Sequence, residues 1–352
     1  MFTRKTLTAV TLGIGLGCVA LSAFAAKSKD IDPPAGAWTA GDYPSTSGDF
    51  IGISGVPGQD DQKNGPREYR VHVPKGYNKL NPTPLIVCLP GLDETVDMFC
   101  VNGTKTGTVS GKLDNGNGDG IYDLSDKNGY VLVMAEGLHH SWNGGNCCGA
   151  AVRGKGVDDV ALIRAIYAVV QQHVNVDTKR TYAVGFSNGA FMADRLACEA
   201  SDIFVAVFEG SGGIRTTPMS ACKPAKNVAV LGSHGIGGKD YYVPYQGDAD
   251  SMAQFASANG CSSHTVPATR PQSVGDGTHD GDVTCITYTG CPSNTEVTFC
   301  SIQNGGHCWY GSPSCGTGYG TLAAGISLGK GVNTFNIIDT DEVWPFLSKY
   351  HR

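Results

Sequence analysis

The stretch that decides the fold is residues 181–199, TYAVGFSNGAFMADRLACE, which contains Gly185-Phe186-Ser187-Asn188-Gly189. A β-prone run at 180–184 precedes this pentapeptide, and a helix-prone run at 190–200 follows it. A strand, a tight turn and a helix in this order predict that Ser187 is held in a strained backbone conformation with its side chain pushed out of the turn. An ordinary exposed serine in a Gly-rich turn is the alternative. The flanking pattern favours a nucleophile.

Strands and helices alternate along the chain from residue 67 onward. The runs PLIVCL (84–89) and GYVLVMA (129–135) predict apolar strands of a sheet that is covered on both faces. The apolar spacing in 157–174 predicts an amphipathic helix. Further predicted elements are strands at 68–73, 204–208 and 227–232, a helix at 248–258, a hairpin over 285–302 and a closing helix at 341–350. This order predicts an α/β fold with a mostly parallel central sheet and helices on both faces. Without an internal linker or repeat, residues 67–352 are interpreted as a single domain.

The N-terminus has the pattern of a secretion signal. Arg4 and Lys5 precede the apolar run 7–21, and Ala23-Phe24-Ala25 fits a cleavage site, so residues 1–25 are predicted to be a signal peptide. The apolar run is too short and Gly-rich to predict a stable membrane anchor. Lipid attachment at Cys18 is an alternative that Gly15 disfavours. Residues 26–66 are predicted to be an irregular lead-in, and the mature protein is expected to be secreted, either extracellular or periplasmic.

The cysteine content agrees with export. Of the 13 cysteines, an even number remains once Cys18 leaves with the signal peptide, as expected where disulfides persist. Local spacing predicts three pairs: Cys285 with Cys300, Cys308 with Cys315, and Cys198 with Cys222. Cys88, in an apolar strand, is the best candidate for a free buried thiol.

The charge balance disfavours nucleic acid as a partner. The chain has 26 basic and 32 acidic residues, a formal net charge of −6, and lacks a long basic run. Its 352 residues with 41% hydrophobic content can bury a large core.

A serine nucleophile needs a base and an acid to orient that base. On α/β sheets with a serine in this kind of turn, the chain order is serine, acid, histidine. Of the later histidines, His307 is the preferred base, because it lies in a Gly-rich loop directly after a predicted strand. The preferred acid is Asp240, in the loop after the strand at 227–232. Asp248, Asp250 and Asp280 stay open as alternatives.

The negative oxygen that forms on attack needs backbone N–H donors. The amide of Asn188, directly after the nucleophile, is one predicted donor. The other is the amide of Leu92, in the loop after PLIVCL. Trp142, Asn143 and Trp309 are candidates for lining the substrate pocket, although aromatic side chains are also common in cores. This chemistry requires no cofactor.

Several longer motifs together resemble a known family. They are GFSNGAFMADRLACE from residue 185, WNGGNCCG from 142, VDDV from 157, DYYVPY from 240 and GGHCWYG from 305. Over residues 67–351 the chain is similar to secreted α/β-hydrolase esterases of the polyhydroxybutyrate depolymerase-like and feruloyl esterase-like group. The resemblance implies a triad of Ser187, Asp240 and His307, and feruloyl or acetyl esters of plant polysaccharide, or polyhydroxyalkanoate chains, as substrates.

Two departures from the family pattern bear on function. Pro90-Gly91 stands where the family usually has His-Gly, and the segment between His234-Gly235 and Asp240 is two residues longer than usual. The first departure is the basis of an alternative hypothesis, in which the chain is a secreted binding protein on a hydrolase scaffold without catalysis.

Residues 115–126 have a second possible interpretation as a calcium loop. Asn115, Asn117, Asp119, Asp123 and Asp126 place oxygen ligands at calcium-loop positions, with Gly120 at position 6. Asn at the first position and Asp at the last weaken this pattern, and a flexible loop before a helix is the simpler interpretation. Catalysis would not need the metal.

Overall fold

A computed structural model describes residues 67, 69–105, 108–109, 112–113, 119–153, 157–216, 218–237, 240, 242–268, 283–312 and 337–352. The strands are β1 (Tyr69–His72), β2 (Thr83–Leu89), β3 (Thr108–Val109), β4 (Lys112–Leu113), β5 (Val131–Ala135), β6 (Val176–Phe186), β7 (Ala206–Gly210), β8 (Ala229–Ile236), β9 (Thr265–Pro267), β10 (Val283–Tyr288) and β11 (Val297–Gln303). The helices are α1 (Ile121–Asn128), α2 (Gly149–Arg153), α3 (Asp159–His173), α4 (Asn188–Glu199), α5 (Tyr245–Ala258) and α6 (Asp339–Leu347). The predicted signal peptide and lead-in lie outside the described residues.

A nine-stranded sheet organises the described part of the chain, in the order β1-β5-β2-β6-β7-β8-β11-β10-β9. The six strands from β5 to β11 pair in parallel, whereas β1, β10 and β9 pair antiparallel at the two edges. The prediction of a mostly parallel central sheet is therefore confirmed. Because parallel strands end at the same edge, the loops after β2, β6, β7, β8 and β11 come together there.

The apolar sequence of the central strands explains why both faces of the sheet are covered. Every residue of β2, β5 and β7 is buried. Along β2, Leu85, Val87 and Leu89 belong to one hydrophobic cluster, and the alternate residues Ile86 and Cys88 belong to the other. This alternation follows from the two-residue period of a strand.

Local capping sets the helix boundaries. The Asp158 side chain accepts a hydrogen bond from the Ala161 amide at 3.0 Å, so α3 begins at Asp159 and not at residue 157. The predicted helix at 248–258 begins three residues earlier, directly after Pro244, and the closing helix ends at Leu347 and contains Pro345. None of the helices among the described residues is long and apolar enough to cross a bilayer.

Disulfides join five pairs of described cysteines. Two pairs are as predicted, Cys198–Cys222 and Cys285–Cys300, the latter between directly opposed residues of β10 and β11. The remaining pairs are Cys88–Cys100, Cys147–Cys148 and Cys261–Cys291. The prediction of a free Cys88 thiol was wrong, because the π-helical turn Asp97–Gly103 brings Cys100 against β2. Cys308 is disulfide-bonded, but Cys315 lies outside the described residues.

Candidate active site

Ser187 occupies the turn between β6 and α4 with an unusual backbone conformation. Its φ is +54° and its ψ is −118°, a region that residues with a Cβ rarely adopt. A Cβ on Gly185 would lie 2.2 Å from the Gly189 carbonyl oxygen, and one on Gly189 would lie 2.0 Å from that of Leu89. Glycine is therefore required on both sides of the serine, because the turn packs directly against β2.

A continuous chain of hydrogen bonds connects Ser187, His307 and Asp240. His307 Nε2 lies 2.7 Å from Ser187 Oγ, and His307 Nδ1 lies 2.8 Å from Asp240 Oδ2. With a neutral imidazole, Nδ1–H donates to the carboxylate and Nε2 accepts from the hydroxyl. His307 follows β11 and Asp240 follows β8, so neighbouring strands bring together two residues that are 67 positions apart.

Asp240 is held in its ionised form by donors on both carboxylate oxygens. Oδ1 accepts hydrogen bonds from the amides of Tyr242 and Val243, each at 2.9 Å. Oδ2 lies near His307 and also 3.1 Å from His234 Nε2. Burial raises the pKa of Asp240, but its contacts with His234 and His307 outweigh burial and hold this pKa well below its usual range.

Behind Asp240 lies a second acid–histidine pair that the sequence did not identify. His234 is fully buried, and its Nδ1 lies 2.6 Å from Asp248 Oδ2. Burial disfavours the charged imidazole, but the hydrogen bonds and charges of Asp240 and Asp248 raise the pKa of His234 to about 9. Asp248 therefore faces His234 and not His307. Of the other alternative acids, Asp250 accepts a hydrogen bond from Gln246 on the exposed face of α5, and residue 280 lies outside the described residues.

The two predicted oxyanion donors both lie at the serine. Asn188 is the first residue of α4, and Leu92 lines the same cavity as Ser187. Neither backbone N–H has a hydrogen-bond acceptor within the part of the chain that the structure describes. By contrast, the Gly91 amide donates to Glu94 and the Asp93 amide donates to the His140 carbonyl. The Leu92 amide is thus available to donate to an oxyanion, while the hydrogen bonds of Gly91 and Asp93 fix the conformation of the loop.

A cavity of about 370 Å³ opens over Ser187 and His307. Besides these two residues, the cavity is lined by Gly91, Leu92, Glu94, Asn146, Cys147, Cys148, Phe186, Phe191, Arg215, Tyr242, Val243 and Pro244. Burial raises the pKa of Glu94 to about 7, although its hydrogen bond from the Gly91 amide opposes the rise. The wall therefore combines apolar and aromatic surface with one acidic side chain, Glu94, and one basic side chain, Arg215.

The proposed pocket residues Trp142, Asn143 and Trp309 lie outside this lining, which corrects the sequence-based expectation. Trp142 is buried in the core, where its Nε1 donates to the Pro90 carbonyl at 3.0 Å. Its backbone N–H and C=O are both hydrogen-bonded by the Asn188 side chain, at 2.6 and 3.1 Å. Trp142 therefore braces the loop at Pro90 from behind and does not face a substrate.

Asn143 and Trp309 are also structural. The Asn143 side-chain amide donates to the Val157 carbonyl at 2.7 Å, at the start of α3. The Trp309 ring lies 5.2 Å from each of the Phe99 and Phe208 rings. Trp309 is thus buried by aromatic contacts, whereas Asn143 is half-buried and held by its hydrogen bond to Val157. The composition of the motifs could not reveal these roles.

Two described members of the calcium-loop candidate, Asp123 and Asp126, bind protein partners. The Asp123 carboxylate accepts a hydrogen bond from the Gly120 amide at 3.0 Å and caps α1. Asp126 lies 2.9 Å from His72 Nε2 and 3.0 Å from Lys75 Nζ. Asn115 and Asn117 lie outside the described residues. Because helix formation points Asp123 and Asp126 at different partners, they do not converge as ligands, contrary to the calcium interpretation.

The sheet order and the placement of Ser187 define the fold as that of an α/β-hydrolase. The family model for esterase PHB depolymerase matches residues 68–235. Probable feruloyl esterase C of Aspergillus niger is 30% identical over 247 residues, which cover 70% of this chain and 77% of that protein. Feruloyl esterase C of Emericella nidulans is 30% identical over 248 residues, with coverage of 70% and 77%. The chain belongs to this esterase PHB depolymerase family.

A solved structure supports the fold. The acetyl xylan esterase from Aspergillus awamori aligns with a TM-score of 0.50 at 14% sequence identity, covering 71% of this chain and 91% of that one. Family membership makes the protein a carboxylic ester hydrolase. The alternative of a binding protein that has lost catalysis has only the Pro90 departure in its favour.

Proposed function

We propose that the protein is a serine esterase in which Ser187, His307 and Asp240 form the catalytic triad. The observation that carries this proposal is the hydrogen-bonded chain from Ser187 Oγ through His307 to Asp240, with distances of 2.7 and 2.8 Å. The strained turn presents the hydroxyl to the cavity, and the ionised Asp240 favours the imidazole tautomer that accepts the serine proton.

The proposed reaction has two halves. Ser187 Oγ attacks the ester carbonyl while His307 Nε2 takes its proton, and the Leu92 and Asn188 amides donate to the developing oxyanion. The tetrahedral intermediate collapses as His307 returns the proton to the leaving alcohol. Water, deprotonated by His307, then attacks the acyl-enzyme and releases the acid. The Asp240 carboxylate orients the imidazole and stabilises its positive charge throughout.

Feruloyl or acetyl esters of plant polysaccharide are the proposed substrates, with polyhydroxyalkanoate esters as the second candidate. The names of the Aspergillus niger and Emericella nidulans relatives support feruloyl esters, and the name of the matching family model supports polyhydroxybutyrate. The aromatic and apolar wall at Phe186, Phe191 and Tyr242 suits a planar aromatic acyl group. Residues from Gly91 to His307 contribute to one site on one sheet, which favours a single catalytic domain over 67–352.

Secretion is part of the proposal. Disulfides such as Cys88–Cys100 and Cys198–Cys222 persist in oxidising compartments. The N-terminal sequence pattern of residues 1–25 agrees with an exported protein.

The decisive test is a hydrolysis panel with a matched pair of variants. Methyl ferulate, acetylated xylan, short p-nitrophenyl esters and polyhydroxybutyrate film are each incubated with the wild type, with Ser187→Ala and with Ser263→Ala. Ser263 lies in an exposed segment after α5 and serves as the control. We expect Ser187→Ala to abolish turnover of every ester that the wild type hydrolyses, while Ser263→Ala retains it. Unchanged turnover in Ser187→Ala would refute the assignment of the nucleophile.

A further inference from the structure

Arg215 is a cationic side chain in the wall of the cavity that contains Ser187 and His307. Its guanidinium carbon lies 4.5 Å from the centroid of the Phe191 ring. Its Nε is buried without a hydrogen-bond partner, and within the described residues the guanidinium forms neither a hydrogen bond nor an ion pair. A guanidinium offers five donors in a planar fork, so this group has unused binding capacity at the site of the proposed chemistry.

The main chain of Arg215 is fixed in position. Arg215 lies in the segment after β7, and its residue forms an isolated parallel bridge with Gly145. Its carbonyl accepts a hydrogen bond from the Asn146 amide at 3.0 Å. A Cβ on Gly145 would lie 2.5 Å from the Arg215 carbonyl oxygen, so the two segments are in close contact. The side chain is thus anchored at its base and stacked on an aromatic ring, which reduces the entropy lost on binding.

The buried acids near Arg215 do not use its donors. Asp240 is hydrogen-bonded to His234 and His307, and Asp248 pairs with His234. Burial and the charge of Asp248 hold the pKa of Asp194 well above its usual range, and the Asp194 carboxyl group accepts a hydrogen bond from the Gly213 amide at 3.1 Å. These acids attract the Arg215 charge from a distance, but none of them accepts a hydrogen bond from its guanidinium, which belongs to a residue that lines the cavity.

We propose that Arg215 binds a carboxylate carried by the ester substrate and thereby selects anionic esters. A carboxylate accepts two parallel hydrogen bonds from a guanidinium and neutralises its charge, which makes it the matching ligand for this fork. Two sources carry such a group: a uronate sugar of a polysaccharide, and the free carboxyl end of a hydroxyalkanoate oligomer. The inference rests on the proposed function, because it places the carboxylate next to the ester that Ser187 attacks.

The experiment measures selectivity with two pairs of substrates. One pair is acetylated methyl glucuronoside and acetylated methyl glucoside. The other is the linear trimer of 3-hydroxybutyrate and the methyl ester of that trimer. For each pair, kcat/KM of the anionic member is divided by kcat/KM of the neutral member, for the wild type, Arg215→Gln, Arg215→Lys and Arg164→Gln. Arg164 is the matched control, because it lies on α3 and pairs with Asp202 at the surface.

We expect the wild type to prefer the anionic member of at least one pair, and that pair identifies the source of the carboxylate. Arg215→Gln should lower this ratio by about ten- to a hundredfold, the usual value of hydrogen bonds to a charged partner. Arg215→Lys should restore part of it, and Arg164→Gln should leave it unchanged. Because each ratio is internal to one protein, partial loss of folded variant does not alter it.

Two results would overturn the proposal. The first is a wild-type ratio of kcat/KM values near one for both pairs of substrates, which would refute the proposal even if neither Arg215 variant folds. Equal losses on anionic and neutral esters in Arg215→Gln would instead assign Arg215 to supporting the buried acids. Both outcomes leave the serine esterase assignment intact, since that fails only if Ser187→Ala still hydrolyses the neutral esters.

Discussion

The buried His234 leads to a stability prediction whose pH dependence is set by its two carboxylate partners. We expect His234→Gln to be less stable than the wild type below pH 6.5, and the difference to shrink as the pH rises through 9. Burial opposes the charge of His234, but Asp240 and Asp248 raise its pKa from 6.5 to about 9. Because the pKa in the folded protein exceeds that in the unfolded chain, protonation stabilises the fold fully below pH 6.5 and ceases to do so above 9.

The magnitude follows from the same shift. At about 1.4 kcal/mol for each pKa unit, the rise to about 9 corresponds to about 3 kcal/mol of unfolding free energy at pH 6. This is a substantial share of the roughly 5–15 kcal/mol that stabilises a typical domain. Glutamine keeps a polar side chain between Asp240 and Asp248 but cannot carry the charge.

The assay is urea unfolding at pH 6, 7.5 and 9.5, followed by tryptophan fluorescence with the disulfides kept oxidised. Other groups with raised pKa values, such as Glu94 and Asp339, titrate in both proteins and therefore cancel in the difference. His264→Gln, at an exposed position, is the control and should match the wild type at each pH. A difference for His234→Gln that stays constant, or that grows with pH, would show that the imidazole is not held in its charged form.

Three further predictions address other parts of the site. Asp240→Asn should lower kcat by about 10⁴-fold, because the asparagine amide no longer fixes the His307 tautomer. Steady-state hydrolysis of a p-nitrophenyl ester measures kcat, and a loss of less than tenfold would contradict the role of Asp240. Replacing Cys88 and Cys100 by alanine should lower the free energy of unfolding by about 3 kcal/mol, since their disulfide closes a short loop. If the urea midpoint of unfolding is the same as in the wild type, the disulfide is not formed. Burial raises the pKa of Glu94 to about 7, so the wild type loses stability as pH rises from about 4.5 through 7. Glu94→Gln should become more stable relative to the wild type between pH 5 and 8, as measured by thermal midpoints, and a parallel pH dependence would disprove this.

The parts of the site that depend on local sequence were predictable. The turn around Ser187 requires glycines at fixed positions, so the sequence of residues 185–189 alone predicts its conformation. His307 could be inferred because it follows a strand whose end must lie at the active edge of a parallel sheet. The hairpin disulfide Cys285–Cys300 followed in the same way from the symmetry of its two strands.

The remaining features depend on contacts between segments that are distant in sequence. Cys88 looks like a core residue of β2, and only the packing of the π-helical turn shows that Cys100 meets it. Trp142 stands in a motif rich in polar residues, yet tertiary packing turns its ring into the core. Arg215 is one arginine in an irregular loop. The rule that loops after parallel strands meet at one edge could have indicated it, because its loop follows β7.

The common edge at which β6, β7, β8 and β11 end has a consequence for how the enzyme can be altered. The Ser187 hydroxyl, the His307 imidazole and the Asp240 carboxylate depend on the ends of β6, β11 and β8, whereas Arg215 follows β7. The proposed selectivity residue Arg215 thus lies in a different segment from the three proposed catalytic residues. Randomising residues 215 and 216 in a library should change which esters are accepted, while the proposed catalytic residues keep their geometry. Residues 211–214 are left unchanged, because a Cβ on Gly212 would clash with Glu209 and both Ser211 and Gly213 have a positive φ.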